Sequence, residues 1–196
     1  MANVAEKYGL RPVRKLDGSP FINAQNRYRI KAGYGTAIFQ GDLVIPTSTG
    51  FIQRATANTS DAVVGVFNGV FYNDPTTQKP TWKNYYPGGI TPTQGEIIAS
   101  VIDDPEVVYS IDSDGAFAVA DIFKNFSITN VTGNVQTGIS KVQLDYSVSG
   151  VANTFAVQAI DISQDTANDT AGSVNADVLV RINNHFYSYG GNGVGL

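Results

Sequence analysis

The residues whose types and spacing could do chemistry are few. The densest group is Asp103, Asp104 and Glu106 in the stretch IIASVIDDPEVVYSI, three carboxylates within four positions between two apolar runs. Such a group suggests a divalent cation site or an acid/base pair. A calcium loop built on Asp side chains places them at alternate positions around a turn glycine, with a bidentate Glu further on. Asp103 and Asp104 are adjacent, so in extended chain they point to opposite faces. Pro105 holds Asp104 extended and favours turn initiation. The stretch therefore reads as a strand, an Asx-Pro turn and a strand returning antiparallel. His185 is the only imidazole and no Gly-x-Ser-x-Gly elbow occurs, so a Ser-His-Asp site finds little support. With one His and no Cys the usual zinc sites are excluded. We expect no catalytic residues, no metal and no cofactor.

Two other groups are suited to binding. Arg11, Arg14 and Lys15 lie in the opening stretch YGLRPVRKLDGSPF, and Arg27, Arg29 and Lys31 share one face of the alternating RYRIKA, opposite Tyr28 and Ile30. Residues 1–54 carry eight Lys and Arg against three acids, and the remainder five against fourteen. A basic segment on an acidic body fits contact between copies or docking on an acidic partner, or the two signs mix on one surface. The second group is Trp82, Tyr85 and Tyr86, in a segment over 73–95 that holds four of the eight prolines. Loops of that length are commonly functional or packed on a neighbour. The aromatics there could stack on a sugar, anchor a partner or fold back on the body. The Gly-x-Gly at Gly33 and Gly35 precedes a strand and lacks the third glycine of a phosphate loop.

The elements that must position these residues are β-strands. Apolar runs of four to six residues, rich in Val, Ile and Phe and punctuated by Gly, Pro, Ser and Thr, predict strands near 37–39, 43–46, 51–55, 63–72, 96–102, 106–112 and 116–123. Three more begin near 138, 153 and 176. Only the opening residues and 119–126 could form a short helix. The expected fold is all-β: an antiparallel β-barrel or sandwich over 36–196, as one unit or two dividing near 113. An extended basic arm over 1–35, ending in a short strand at RYRIKA, and a long Pro-rich loop complete it. At 196 residues the chain can bury roughly 70% of its unfolded surface and needs no staple. Its 15% charged residues, against about 25% on average, suit a protein that covers surface with partners. No apolar run approaches about 18 residues, so a soluble protein without a cleaved leader or membrane partner is expected, and a pI near 4.8 argues against nucleic acid.

The chain resembles the capsid decoration, or cement, proteins of tailed bacteriophages. The resemblance lies in YGLRPVRKLDGSPF, FQGDLVIPTSTGFIQRA running into AVVGVFNGVFY, VIDDPEVVYSI and ADVLVRINNHFY. It spans most of residues 8–187, leaving 73–95 and 124–150 unmatched. It implies a non-enzymatic virion structural protein on the outer surface of the capsid, made in the host cytoplasm. The major capsid protein would be its partner, and a homotrimer its favoured state, because closed cyclic interfaces suit local three-fold positions. Arg11, Arg14, Lys15, Arg27 and Arg29 would contact the capsid or a neighbouring copy, with Trp82, Tyr85 and Tyr86 as an anchor. The alternative is a carbohydrate- or receptor-binding β module of a fibre or tail.

Overall fold

The computed structural model describes residues 3, 5–57, 61–150, 155–165, 168 and 172–188. Among them are twelve strands and one short 3₁₀ turn at Val119–Asp121. The strands are β1 (Arg11–Lys15), β2 (Asn26–Ile30), β3 (Leu43–Pro46), β4 (Ile52–Arg54), β5 (Gly65–Asn73), β6 (Pro80–Lys83), β7 (Ile97–Ile102), β8 (Val107–Asp112), β9 (Asn125–Ile128), β10 (Leu144–Gly150), β11 (Val157–Ile162) and β12 (Asp177–Ile182). No helix among the described residues is long and apolar enough to cross a membrane.

They form two six-stranded sheets. The first runs β3-β4-β2-β7-β5-β6, and a further pairing of β3 with β5 closes five of its strands into a barrel, with β6 attached outside. Its pairings are antiparallel except a single parallel bridge, Ile30 to Ile52. The second runs β1-β8-β12-β11-β9-β10, antiparallel throughout, and the isolated bridge Ser113–Leu144 turns its far strand back towards β8. The fold is all-β and antiparallel as the apolar runs predict, and of the barrel and sandwich expected as alternatives the first sheet forms a closed barrel.

Two hydrophobic cores meet at one wall. Leu43 and Ile45 of β3 and Val66 of β5 pack with Tyr109, Phe126, Val157 and Val180 under the second sheet. Their neighbours Val44 and Phe67 pack inside the barrel with Ile30, Val70, Tyr86 and Val101. Successive side chains of a strand face opposite ways, so a wall buried on both faces must be apolar at every position, which is why LVIP reads as an unbroken run. The changeover recurs at the end of β7, where Val101 belongs to the barrel core and Ile102 to the other. Gly65 is required beside it: a Cβ there would collide with the Ile102 carbonyl and lie 2.9 Å from Asp103 Cα.

A buried ion pair pins the wall. Asp42, 1% exposed, accepts hydrogen bonds from the Phe39 amide (2.8 Å) and the Ser140 hydroxyl (2.6 Å), and its Oδ2 lies 2.9 Å from Arg54 Nε. Arg54 also donates from Nη2 to the Val131 carbonyl at 2.5 Å, so one cluster ties barrel residues to the 129–143 segment of the other half.

Several elements differ from the sequence reading. β7 and β8 are not a hairpin: β7 pairs with β2 and β5, β8 with β1 and β12, and residues 103–106 carry the chain between sheets. The passage thus lies ahead of position 113. Residues 116–123 form no strand, while β9 follows at 125–128. The 73–95 segment is not wholly irregular, because β6 lies within it. In the 1–35 stretch the short strand expected at RYRIKA forms as β2 of the barrel, and β1 is an additional strand at the edge of the second sheet.

Removing one member of a buried pair strands the other. Asp42→Ala is expected to cost about 3–5 kcal/mol in urea unfolding, whereas joint replacement of Asp42 by Leu and Arg54 by Met costs less.

Candidate functional site

The acidic turn is a structural bracket. Asp103 accepts two hydrogen bonds from Asn26 Nδ2 (3.0 and 3.1 Å) and one from the Tyr28 hydroxyl (2.5 Å). Asp104 accepts from the Glu106 amide at 2.9 Å, as an Asx turn requires, and pairs with Lys15 Nζ at 2.7 Å. Burial works against the charged form of Asp104, but Lys15 and the Glu106 amide hold its carboxyl below the usual range. One turn thereby fastens β1 and β2 to the passage between sheets. Among the described residues, no three His, Cys, Asp or Glu side chains converge on a metal position.

His185 lies just after β12, 1% exposed, and bridges back to Val63 of the barrel half. Its Nδ1 accepts from the Tyr187 amide at 3.1 Å, which places the proton on Nε2, and Nε2 has no partner. Burial pushes its pKa down to about 4, with Asp103 and Asp104 opposing. A second buried group is Asp112, directly opposite Asp177 across β8 and β12. Its Oδ2 accepts from Gln143 Nε2 (3.2 Å); burial, with Asp177 adding to it, pushes its pKa up to about 6. Asp177 in turn accepts from the Tyr8 hydroxyl at 2.6 Å, which fixes the segment before β1.

The five cations proposed for contact do not converge. Arg11, Arg14 and Lys15 lie on β1 in the second sheet, and Arg27 and Arg29 on β2 in the barrel. The Arg11 guanidinium sits 4.7 Å from the Tyr8 ring centre, and Arg14 Nη1 donates to the Lys15 carbonyl at 3.1 Å. Arg29 pairs with Glu96 at 2.7 Å. Arg27 has no partner among the described residues and lines a groove with Phe71, Trp82, Ile98 and Ser100. Around β1 the exposed apolar side chains are Val13 (46%), Leu16 (39%) and Ile22 (79%).

The aromatic trio is split. Trp82 is 62% exposed on β6. Tyr86 is fully buried in the barrel core, stacked on Tyr34 with its hydroxyl donating to the Tyr34 carbonyl at 2.8 Å, so it anchors no partner. The chain bridges back to Ile38 at Tyr86 and turns the ring inward, away from the partner-facing position expected of it. Tyr85 is half-buried, its ring parallel to Phe39 at 5.5 Å.

Sequence reasoning missed Phe71, whose outward position follows from alternation with buried Val70 and Tyr72 in β5. It also missed Phe123, 76% exposed at φ 72°, a conformation uncommon for a bulky residue. The Asp112–Asp177 pair depends on register between distant strands, which no local pattern shows.

No match to a known protein emerges. No family model matches the chain, and neither the curated proteins nor the solved structures contain a match.

The two buried groups give opposite pH signatures. His185 has a folded pKa below its ordinary 6.5, so the stability it contributes is present above 6.5 and lost as pH falls towards 4. His185→Gln should flatten that part of the Tm–pH profile. Asp112 has a folded pKa above 3.8, so its contribution is present below 3.8 and lost as pH rises through 6. Asp112→Asn should raise Tm more at pH 7.5 than at pH 4.5, as thermal melts at both values will show.

Proposed function

We propose that this protein is a non-enzymatic virion structural protein that binds the outside of a phage capsid shell and stabilises it, acting through its edges. The observation that carries this reading is the β1 edge. β1 pairs with β8, on its other side Arg14 and Lys15 are met by the chain's own turn to Pro20, and Val13, Leu16 and Ile22 stand exposed around Arg11 and Arg14. Apolar side chains interleaved with arginines suit the core and rim of a protein interface. The capsid setting comes from the resemblance of the sequence to decoration proteins, with the major capsid protein as partner and a closed trimer as the working assembly.

The internal contacts of the cations refine the mechanism. Lys15 is held by Asp104, so it serves the fold before it serves a partner. Arg11 and Arg14 keep their charge unopposed by any carboxylate in the described contacts and would meet acidic capsid surface. The two sheets share one buried wall, so docking would not have to order a loose body, which lowers the entropy cost of binding.

Co-sedimentation with undecorated capsids across a salt series tests this. Saturable binding at a fixed ratio to capsid subunits is expected, weakening as salt rises. The double change Arg11→Gln and Arg14→Gln should weaken binding about tenfold at low salt and flatten the salt dependence, with Lys15 left in place to preserve its ion pair. Absence of binding at every salt concentration would contradict the reading.

A further inference from the structure

The groove beside Trp82 has the makings of a small-molecule site on the opposite sheet from the β1 edge. It lies on the outer face of the barrel where three strands run side by side. Phe71 is paired across strands with both Trp82 and Ile98, and Ser100 with both Gly69 and Arg27. Two rows result: Trp82, Phe71 and Ile98 supply apolar surface, and Gly69, Ser100 and Arg27 lie beside them.

Gly69 shapes the site. Its φ of 153° and the register shift between Phe67 and Gly69 mark a bulge, and a Cβ at this position would sit 2.9 Å from Trp82 Cζ2. The absent side chain lets the indole lie down over β5. From β5 to Arg27 on β2 is two strand spacings, about 10 Å. A groove of 580 Å³ is left between the indole and the guanidinium, with the Ser100 side chain on its floor. That volume is within the usual range for small ligands.

The polar groups are uncommitted. Arg11, Arg14, Arg29, Arg54 and Arg181 each have a partner in the protein. Arg27 is the exception among the described residues, and the Ser100 hydroxyl likewise makes no side-chain hydrogen bond there. An exposed indole offers its face to the C–H face of a sugar, a guanidinium forks to a carboxylate, and a hydroxyl serves a ring hydroxyl. A peptide strand added at β6 fits less well, because Pro80 and the flanking Lys79 and Lys83 guard that edge.

We propose that the Trp82–Arg27 groove binds a carboxylate-bearing sugar residue, stacked on the indole with its carboxylate held by Arg27 and a ring hydroxyl by Ser100. This is a second binding function, independent of shell docking through β1, since Arg27 and Arg11 lie on different sheets.

Trp82 is the only tryptophan, so its fluorescence reports on this groove alone. The full chain is titrated with a galacturonic acid oligomer, with the matching neutral galactose oligomer and with an oligoglutamate peptide. A saturable change with the uronate, at least tenfold weaker with the neutral sugar and weakened by salt, is expected. Arg27→Gln should lose at least tenfold in uronate affinity with Tm unchanged, and Gly69→Val, which lifts the indole, should lose it too. Absence of a saturable response to the uronate overturns the proposal. Equal binding of the neutral sugar, unaltered affinity in Arg27→Gln, or tighter binding of oligoglutamate than of the uronate overturns it as well, the last indicating a protein partner. Capsid co-sedimentation of Arg27→Gln, expected to be unchanged, separates failure here from failure of the docking reading.

Discussion

The structure depends on a wall that is buried on both faces. β3 and β5 send alternate side chains into two cores, Leu43, Ile45 and Val66 one way and Val44 and Phe67 the other. A one-residue slip in either strand would exchange the two sets and spoil both cores together, so the register is fixed from two sides at once. Asp42 sits at the head of this wall, where burial pushes its carboxyl up against the opposing pull of Arg54, Ser140 and the Phe39 amide. A buried charge in such a place adds little net stability but is costly to leave unpaired. It therefore acts chiefly to fix how the 129–143 segment joins the barrel.

What remains for function follows from what the fold consumes. The acidic turn at 103–106 is spent on Asn26, Tyr28 and Lys15, and His185 is spent on packing and on the Tyr187 amide. Arg29 and Arg54 are paired. Among the groups that stay exposed are Arg11 and Arg27, together with Val13, Leu16, Ile22, Phe71, Trp82 and Phe123. Val13, Phe71 and Trp82 lie on strands and Leu16, Ile22 and Phe123 in the connections between them. The wall common to both cores connects these surfaces.

The sequence showed the strands whose two faces differ in chemistry. β12 is the clearest, with Val178, Val180 and Ile182 buried and Leu179 and Arg181 only half so, as alternation requires. β5, β7 and β8 were equally legible as apolar runs. The pairing was not, because it depends on which runs share a core: VIDDPEV has every local mark of a hairpin, yet Ile102 turns into one core and Val101 into the other. Tyr86 was misplaced for a related reason, since a Pro-rich context says nothing of the bridge to Ile38 that pulls it inward. The groove was half visible. Trp82 and Arg27 stood out by type, but Phe71, Ile98, Ser100 and the bulge at Gly69 join them only through register.

A wall shared by two cores should make the two sheets open as one cooperative unit. Native-state hydrogen exchange as a function of denaturant tests it directly, by comparing the amides of β5 and β7 with those of β8 and β12. The slowest amides of both sets are expected to exchange through one global opening, with the same free energy and the same denaturant dependence. Slow amides of β8 and β12 that exchange through a separate opening of lower free energy and smaller denaturant dependence would contradict it.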